Sequence, residues 1–115
     1  MDVQIFGVEK DQGVRKAQRF FKERRMKVHF MDFKRRAPSK GELQRFFQKF
    51  GEEKVINRDS KRFRALGYQT AYYSDERWLA IACEEPLILN MPLVRAGKEL
   101  SVGVDEAAWK SWLQG

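Results

Sequence analysis

The sequence predicts an α/β fold in which one mixed, four-stranded sheet packs against helices. Three observations lead to this prediction. A strand, a helix of about three turns and a second strand follow one another within residues 2 to 33, as in a βαβ unit with parallel strands. Helical periodicity fills the middle of the chain, and a β-hairpin followed by a helix ends it. We therefore expect residues 1–115 to form a single domain.

Hydrophobic spacing defines each element of the βαβ unit. Residues 2 to 8 carry Val, Ile and Phe in loose alternation, which is typical of a buried strand. In residues 12 to 25 apolar side chains recur at helical spacing among basic ones, so one stripe of this helix should be buried. The predicted buried residues are Val14, Ala17, Phe20 and Phe21. Extended character returns over residues 26 to 33, where His29 is predicted to face solvent.

Capping signals define the helices in the middle of the chain. Ser39 stands three residues before Glu42, which is the spacing of a capping box, and the helix that follows should end at Gly51. A short helix is expected to end near Gly67. Ser74 precedes two acidic residues and is predicted to cap the next helix.

The end of the chain completes the predicted sheet. Residues 96–98 have the composition of a hairpin turn, and Asp105 is predicted to cap a final helix whose Trp109 and Trp112 pack in the core. The resulting order is β-α-β, then helices, then β-β-α. This order is the thioredoxin-like, or glutaredoxin-like, plan with a helical insertion between its second and third strands.

Composition narrows the classes of function. No apolar run approaches the roughly 20 residues that span a bilayer, and no export signal is recognisable, so we expect a cytoplasmic protein without a membrane partner. The single cysteine, Cys83, excludes a disulfide framework and a cysteine-based zinc cluster. The single histidine, His29, excludes a multi-histidine site. We predict no metal site and a monomer.

Positive charge is concentrated in the first half of the chain. Residues 1–50 hold 14 Lys and Arg against 6 Asp and Glu, whereas residues 51–115 hold 9 against 10. This basic face could be solvated, or it could bind an acidic protein or a nucleic acid, although it lacks the interleaved aromatic residues of a nucleic-acid motif. Its members are Arg15, Lys16, Arg19, Lys22, Arg24, Arg25 and the segment FKRR at residues 33–36.

Five segments spread over nearly the whole chain carry a family resemblance. They are IFGVEKDQGVRKA, FMDFKRRAPSKGELQRFF, INRDSKRFRALG, EEPLILNMPLV and LSVGVDEAAW. In this order and spacing they resemble the ArsC family of small, glutaredoxin-coupled arsenate reductases and the related Spx-like transcriptional regulators. The resemblance implies an ArsC-type thioredoxin-like fold, with an anion-binding loop before the first helix.

The chain departs from this family at the position of its chemistry. The family's catalytic cysteine stands just before the first helix, where this chain has Asp11, so we assign no catalytic residue. The resemblance also implies arginines around the anion. Their places are taken by Met91, Asn57 and Gly103. Arg15 does match the family pattern, and Pro92 matches the proline that is cis in thioredoxin-like folds.

The residues near this loop leave alternatives open. Asp11 can act as the N-cap of the first helix, or as a recruited acid, base or metal ligand beside Glu9. Arg15 either contacts an anion or Asp11, or is solvated. Cys83 is predicted to be a small buried side chain rather than a reactive thiol. The candidate residues for binding an anion or a partner are Asp11, Gln12, Gly13, Arg15, Asn57 and Pro92.

Two functions of different classes remain. The first is a non-catalytic, Spx-like interaction or regulatory protein that has lost the redox-active cysteine and needs no cofactor; the resemblance implies a protein partner such as RNA polymerase. The second is an oxidoreductase of the arsenate reductase family that uses glutathione and glutaredoxin, or Cys83. We favour the first, because disulfide chemistry needs a sulfur near the loop and Cys83 lies in another segment.

Overall fold

A computed structural model describes residues 2–114 and divides them into two compact units. One unit comprises residues 2–34 and 91–114, and we call it the sheet unit. The other comprises residues 35–90, and we call it the helical unit. The assignment of residues 1–115 to one domain stays a prediction.

The sheet unit contains a four-stranded sheet in the order β2-β1-β3-β4. Its strands are β1 (Asp2–Gly7), β2 (Lys27–Asp32), β3 (Leu93–Ala96) and β4 (Glu99–Val102). Strand β1 pairs in parallel with β2 and antiparallel with β3, and β3 pairs antiparallel with β4. The predicted mixed sheet, with a parallel βαβ start and a terminal hairpin, is confirmed.

Two helices, α1 (Gln12–Glu23) and α6 (Glu106–Gln114), bury apolar side chains against this sheet. The predicted stripe of α1 is fully or almost fully buried. Trp109 of α6 is buried as predicted, and its indole Nε1–H donates to the buried hydroxyl of Ser101 at 2.8 Å. The core cluster of the sheet unit is Val3, Ile5, Val14, Ala17, Phe20, Phe21, Val94, Ala96 and Trp109.

Helix α1 ends at Glu23, and the predicted end at Arg25 is wrong. The N–H of Arg25 donates to the carbonyl of Lys22 at 3.0 Å, and the N–H of Met26 donates to that of Phe21 at 3.1 Å. These two bonds form a Schellman ending, which requires a left-handed residue after the helix. Arg25 takes that position with φ +60°, where glycine is the usual residue, so its side chain conflicts with the local backbone.

The helical unit contains four helices and a 3-10 turn among its described residues. They are α2 (Lys40–Phe50), α3 (Glu52–Val55), α4 (Lys61–Ala65), α5 (Asp75–Glu84) and the turn Pro86–Ile88. The predicted capping box is present, because the N–H of Glu42 donates to Ser39 Oγ while the Glu42 carboxylate accepts from the Ser39 N–H. Ser74 caps α5 as predicted. No helix within residues 2–114 is long and apolar enough to cross a membrane.

An arginine organises the aromatic side chains of the helical unit. The Arg58 guanidinium lies 5.3 Å from the ring centroids of the buried Phe63 and Trp78 and of the exposed Tyr72. Both of its terminal nitrogens donate to the Ala71 carbonyl at 3.3 Å. Arg58 therefore fixes the segment before α5 by cation–π contacts and hydrogen bonds together.

We expect Arg25→Gly to stabilise the protein by about 0.5–1 kcal/mol, because glycine adopts a positive φ without a steric penalty. Arg19→Gly is the matched control, since the same exchange inside α1 should cost about 1 kcal/mol of helix propensity. Urea denaturation of both variants measures the two effects. A loss of stability in Arg25→Gly would show that the Arg25 side chain contributes more to folding than its backbone position costs.

Candidate functional site

The candidate site is the turn that leads from β1 into α1. The N–H of Asp11 donates to the Val8 carbonyl at 3.1 Å and closes this turn. Asp11 has an extended backbone, and its Oδ1 accepts from the N–H of Val14 at 2.9 Å. The N-cap interpretation of Asp11 is therefore confirmed. The carboxylate satisfies one of the free N–H groups at the positive end of α1.

The segment before β3 approaches this turn closely. The Met91–Pro92 peptide bond is cis, as the resemblance implies. A Cβ atom placed on Gly13 would lie 3.1 Å from Asp11 Oδ1, from the Met91 carbonyl oxygen and from Pro92 Cδ. Gly13 is therefore the residue that lets the start of α1 pack against the proline segment. Three of the predicted site residues, Asp11, Gly13 and Pro92, thus come together.

Two further residues, Met91 before β3 and Gly103 after β4, stand where the resemblance implies arginines. The N–H of Gly103 donates to the Pro92 carbonyl at 2.8 Å, so Gly103 lies beside the proline and presents no side chain there. Met91 is partly buried against the core of the sheet unit. A Cβ atom placed on Gly7 would lie 3.5 Å from Met91 Sδ and would overlap Val14 Cγ2. An apolar thioether therefore borders the turn.

Arg15 and Gln12 are both exposed on the first turn of α1. Arg15 Nε donates to the carbonyl of Glu9 at 3.2 Å, so this side chain bends back along the turn. This hydrogen bond joins Arg15 to the backbone of its own turn rather than to the Asp11 carboxylate. Within residues 2–114 the Gln12 side chain forms no hydrogen bond or ion pair.

Asn57 lies in the helical unit and has a structural role there. Its Oδ1 accepts from the N–H of Asp59 at 3.0 Å, and its own N–H donates to the Ile88 carbonyl at 2.8 Å. This is the geometry by which asparagine stabilises a turn. The Asn57 side chain therefore stabilises its own turn through this hydrogen bond.

Cys83, on α5 of the helical unit, is half-buried rather than buried as predicted. It is at the edge of the apolar stripe, next to the exposed Glu84. Partial burial raises the pKa of the Cys83 thiol, and the charge of Glu84 raises it further against the opposing effect of Lys40. The thiolate that disulfide chemistry needs is therefore scarce at neutral pH.

The remaining groups with metal-binding or acid–base chemistry are dispersed. Within residues 2–114 no three His, Cys, Asp or Glu side chains are grouped so that they could hold a metal ion. His29 is 41% exposed, as predicted, and its Nε2 lies 3.1 Å from the Asp2 carboxylate. The hydrogen bond to His29 lowers the pKa of Asp2.

The predicted basic face divides between the two units. Arg36, from its FKRR segment, forms an ion pair with Glu42 at 3.0 Å and belongs to the helical unit. Arg24 lies over the Phe20 ring at 3.7 Å and donates to the Phe20 carbonyl at 3.0 Å, so it caps the end of α1. The other basic residues of α1 remain exposed.

The model of the ArsC family matches residues 6–112 of this sequence. The chain belongs to the ArsC family. This match includes the whole turn from β1 to α1, the cis proline and nearly all of α6. No curated protein matches the sequence.

Solved structures agree with the ArsC-family assignment. The YffB protein superimposes with a TM-score of 0.86 at 22% identity, over 95% of this chain and 96% of that chain. An arsenate reductase from Vibrio cholerae superimposes with a TM-score of 0.80 at 19% identity, over 96% of this chain and 97% of that chain. A putative ArsC family related protein from Bacteroides fragilis superimposes with a TM-score of 0.84 at 16% identity, over 96% of this chain and 97% of that chain. At these identities the likeness establishes the fold, and the predicted α/β, thioredoxin-like architecture is confirmed.

Sequence reasoning missed two packing roles around the ArsC-family turn. Gly7 allows Val14 to pack on β1, and the Glu9 carbonyl holds Arg15. A glycine at the end of a buried strand indicates a close approach of this kind, so Gly7 was detectable. The contact between Arg15 and Glu9 could not be predicted from the sequence, because it uses a backbone carbonyl oxygen that every residue type possesses.

We expect Asp11→Ala to destabilise the protein by about 1 kcal/mol, because it removes the side chain that caps α1. Asp11→Ser should retain most of the stability, since a hydroxyl can accept the same hydrogen bond from Val14. Urea denaturation of both variants distinguishes the two results. Equal losses in the two variants would mean that Asp11 stabilises the fold by something other than its N-cap bond.

Proposed function

We propose that this chain is a non-catalytic ArsC-family protein, an interaction or regulatory protein that has lost the redox-active cysteine of its relatives. The observation that carries the proposal is the 2.9 Å hydrogen bond from the Val14 N–H to the Asp11 carboxylate. Asp11 stands where the resemblance places the thiolate, and it uses the helix end that would stabilise one. A carboxylate cannot form a mixed disulfide, and it repels an arsenate anion.

The surroundings of Asp11 support the same conclusion. An arsenate site needs positive groups that bind the oxyanion, and arginine is the side chain best suited to this. Beside Pro92, this chain has the thioether of Met91 and the backbone of Gly103. Arg15, the basic residue that matches the family pattern, donates to a carbonyl of its own turn. No positive side chain therefore stands at the two positions beside Pro92 where the resemblance implies arginines.

The alternative, an oxidoreductase that uses glutathione and glutaredoxin or Cys83, is less well supported. Cys83 is half-buried, and burial raises the pKa of its thiol, which lowers the fraction of nucleophilic thiolate. The helical unit contains Cys83, and the sheet unit contains Asp11. An arsenate reductase from Vibrio cholerae shares this fold at 19% identity, a level at which the fold alone is carried over.

A binding protein of this kind requires no cofactor and can act as a cytoplasmic monomer. Resemblance to the Spx-like regulators makes RNA polymerase the protein partner to test first. The measurement is co-elution of the purified chain with purified RNA polymerase in size-exclusion chromatography. Separate elution at micromolar concentrations of both proteins would exclude RNA polymerase as the partner.

The direct test is turnover. We expect the wild-type chain, supplied with glutathione and glutaredoxin, to reduce neither arsenate nor a mixed glutathione disulfide above the rate without protein. Cys83→Ser, which lacks any thiol, should give the same rate as wild type. Turnover in wild type that is lost in Cys83→Ser would overturn the proposal in favour of the oxidoreductase.

A gain of thiol reactivity tests whether the turn retains the electrostatics of a thiolate site. In Asp11→Cys, made in the Cys83→Ser background, we expect a thiol pKa below the ordinary value of about 8.5, because the positive end of α1 stabilises a thiolate. The pH dependence of iodoacetamide alkylation measures this pKa, and wild-type Cys83 is the matched control, with a pKa above the ordinary value. A thiol at position 11 that titrates no lower than Cys83 would show that the turn does not favour an anion.

A further inference from the structure

We infer that an exposed surface of α1 binds the sugar-phosphate backbone of a nucleic-acid duplex without reading its sequence. This inference rests on the proposed function, because a chain that acts by binding needs a surface for its partner. The surface is formed by Arg15, Lys16, Arg19, Lys22 and Arg25, and we call it the basic α1 surface. All five of its side chains are exposed.

The side chains of the basic α1 surface form no ion pair with the part of the chain that the structure describes. No carboxylate of residues 2–114 lies within ion-pair distance of these five side chains. The helical unit differs, because several of its arginines are paired with carboxylates. These ion pairs are Arg36–Glu42, Arg58–Glu52, Arg62–Glu85 and Arg64–Asp59. Positive charge on α1 is therefore available to a partner of opposite charge.

Part of this charge placement opposes the stability of α1. Arg15 and Arg19 are four residues apart and Lys22 follows at the next turn, so like charges lie along one face and repel. The first turn contains no acidic residue, although the N-cap Asp11 directly precedes it. The first turns of α2, α3, α5 and α6 each contain at least one acidic residue, and that of α4 contains none. Arg15, in the first turn, is disfavoured by the helix dipole, whereas Lys22, in the last turn, is favoured by it. A local arrangement that opposes folding is characteristic of a functional site.

Arg25 adds an independent observation. Within residues 2–114 it is the one non-glycine residue with a positive φ, at +60°. Glycine would fit this helix ending better, yet the chain places a cation there, next to the other charges of the basic α1 surface. Residues held in such conformations cluster at functional sites.

The chemistry of the surface selects a phosphate backbone over a protein. The centres of protein interfaces combine aromatic or apolar anchors with arginine, and the basic α1 surface offers arginine without such anchors. The large apolar side chains that are exposed within residues 2–114 are Tyr72, Leu87, Val104 and Leu113, and none of them is on α1. Both phenylalanines of α1 are buried, so no ring is free to stack on an unpaired base. Lysine and arginine without anchors or rings are suited to the phosphates of a duplex.

The test measures binding of fluorescein-labelled duplexes by anisotropy over a range of salt concentrations, with mixed-sequence DNA and RNA duplexes as separate probes. We expect wild type to bind, with an affinity that falls steeply with salt and does not depend on base sequence. In Lys16→Gln/Arg19→Gln/Lys22→Gln the affinity at about 50 mM salt should fall roughly tenfold or more, and the slope of log K against log salt should decrease by about 2 to 3. Comparison of the two probes shows whether the surface binds a DNA or an RNA duplex more tightly.

Two controls separate the surface from net charge and from folding. Lys49→Gln/Lys61→Gln/Lys110→Gln removes the same charge from exposed positions outside α1 and should bind as wild type does. Arg25→Gly should bind more weakly than wild type, with a slope smaller by about 1, while its thermal stability rises. Loss of affinity together with a gain of stability cannot result from unfolding.

Three results would overturn the inference. They are absence of binding to both duplexes at about 50 mM salt, equal losses in the two triple variants, and tighter binding of poly-glutamate than of either duplex. The last would assign the surface to an acidic protein. The turnover assay is independent of all three, so thiol-dependent turnover would overturn the proposed function while the duplex measurement would still decide the role of the basic α1 surface.

Discussion

The hydrogen bond from the Val14 N–H to the Asp11 carboxylate is the interaction on which the site depends, because it fixes where α1 begins relative to the central strand β1. β1 is held on both sides, by β2 and by β3, so the turn that follows it has little freedom. Two glycines make the turn possible. Gly7 leaves space for Val14, and Gly13 leaves space for the proline segment. The cap, the glycines and the cis proline form one packing unit.

This packing unit explains how an ArsC-family fold can persist without its sulfur. The N-terminus of a helix stabilises a thiolate and a carboxylate by the same means, free N–H groups and the helix dipole. Either group places a negative charge at this helix end, although a carboxylate cannot perform the disulfide chemistry of a thiolate. Under the proposed function, the fold supplies a frame and a surface of that frame binds the partner.

The sequence predicted those features that local patterns encode. Periodicity located the strands and the buried stripe of α1, and side-chain caps located the starts of α2 and α5 at Ser39 and Ser74. The end of α1 was mispredicted because Arg25 gives no local signal of a left-handed residue. The contacts of Gly13 with the Met91–Pro92 segment join distant parts of the chain, and no local pattern encodes them. The half-burial of Cys83 depends on the packing of α5, which periodicity gives only approximately.

The strand order also constrains how the chain can be made. β1 is synthesised well before its partner β3, since Ile5 pairs with Val94. Until residues 93–96 are synthesised, one side of β1 has unpaired backbone groups and the sheet cannot close. The nascent chain must therefore carry an exposed apolar strand edge while the residues between β1 and β3 are synthesised, and such an edge is prone to aggregation.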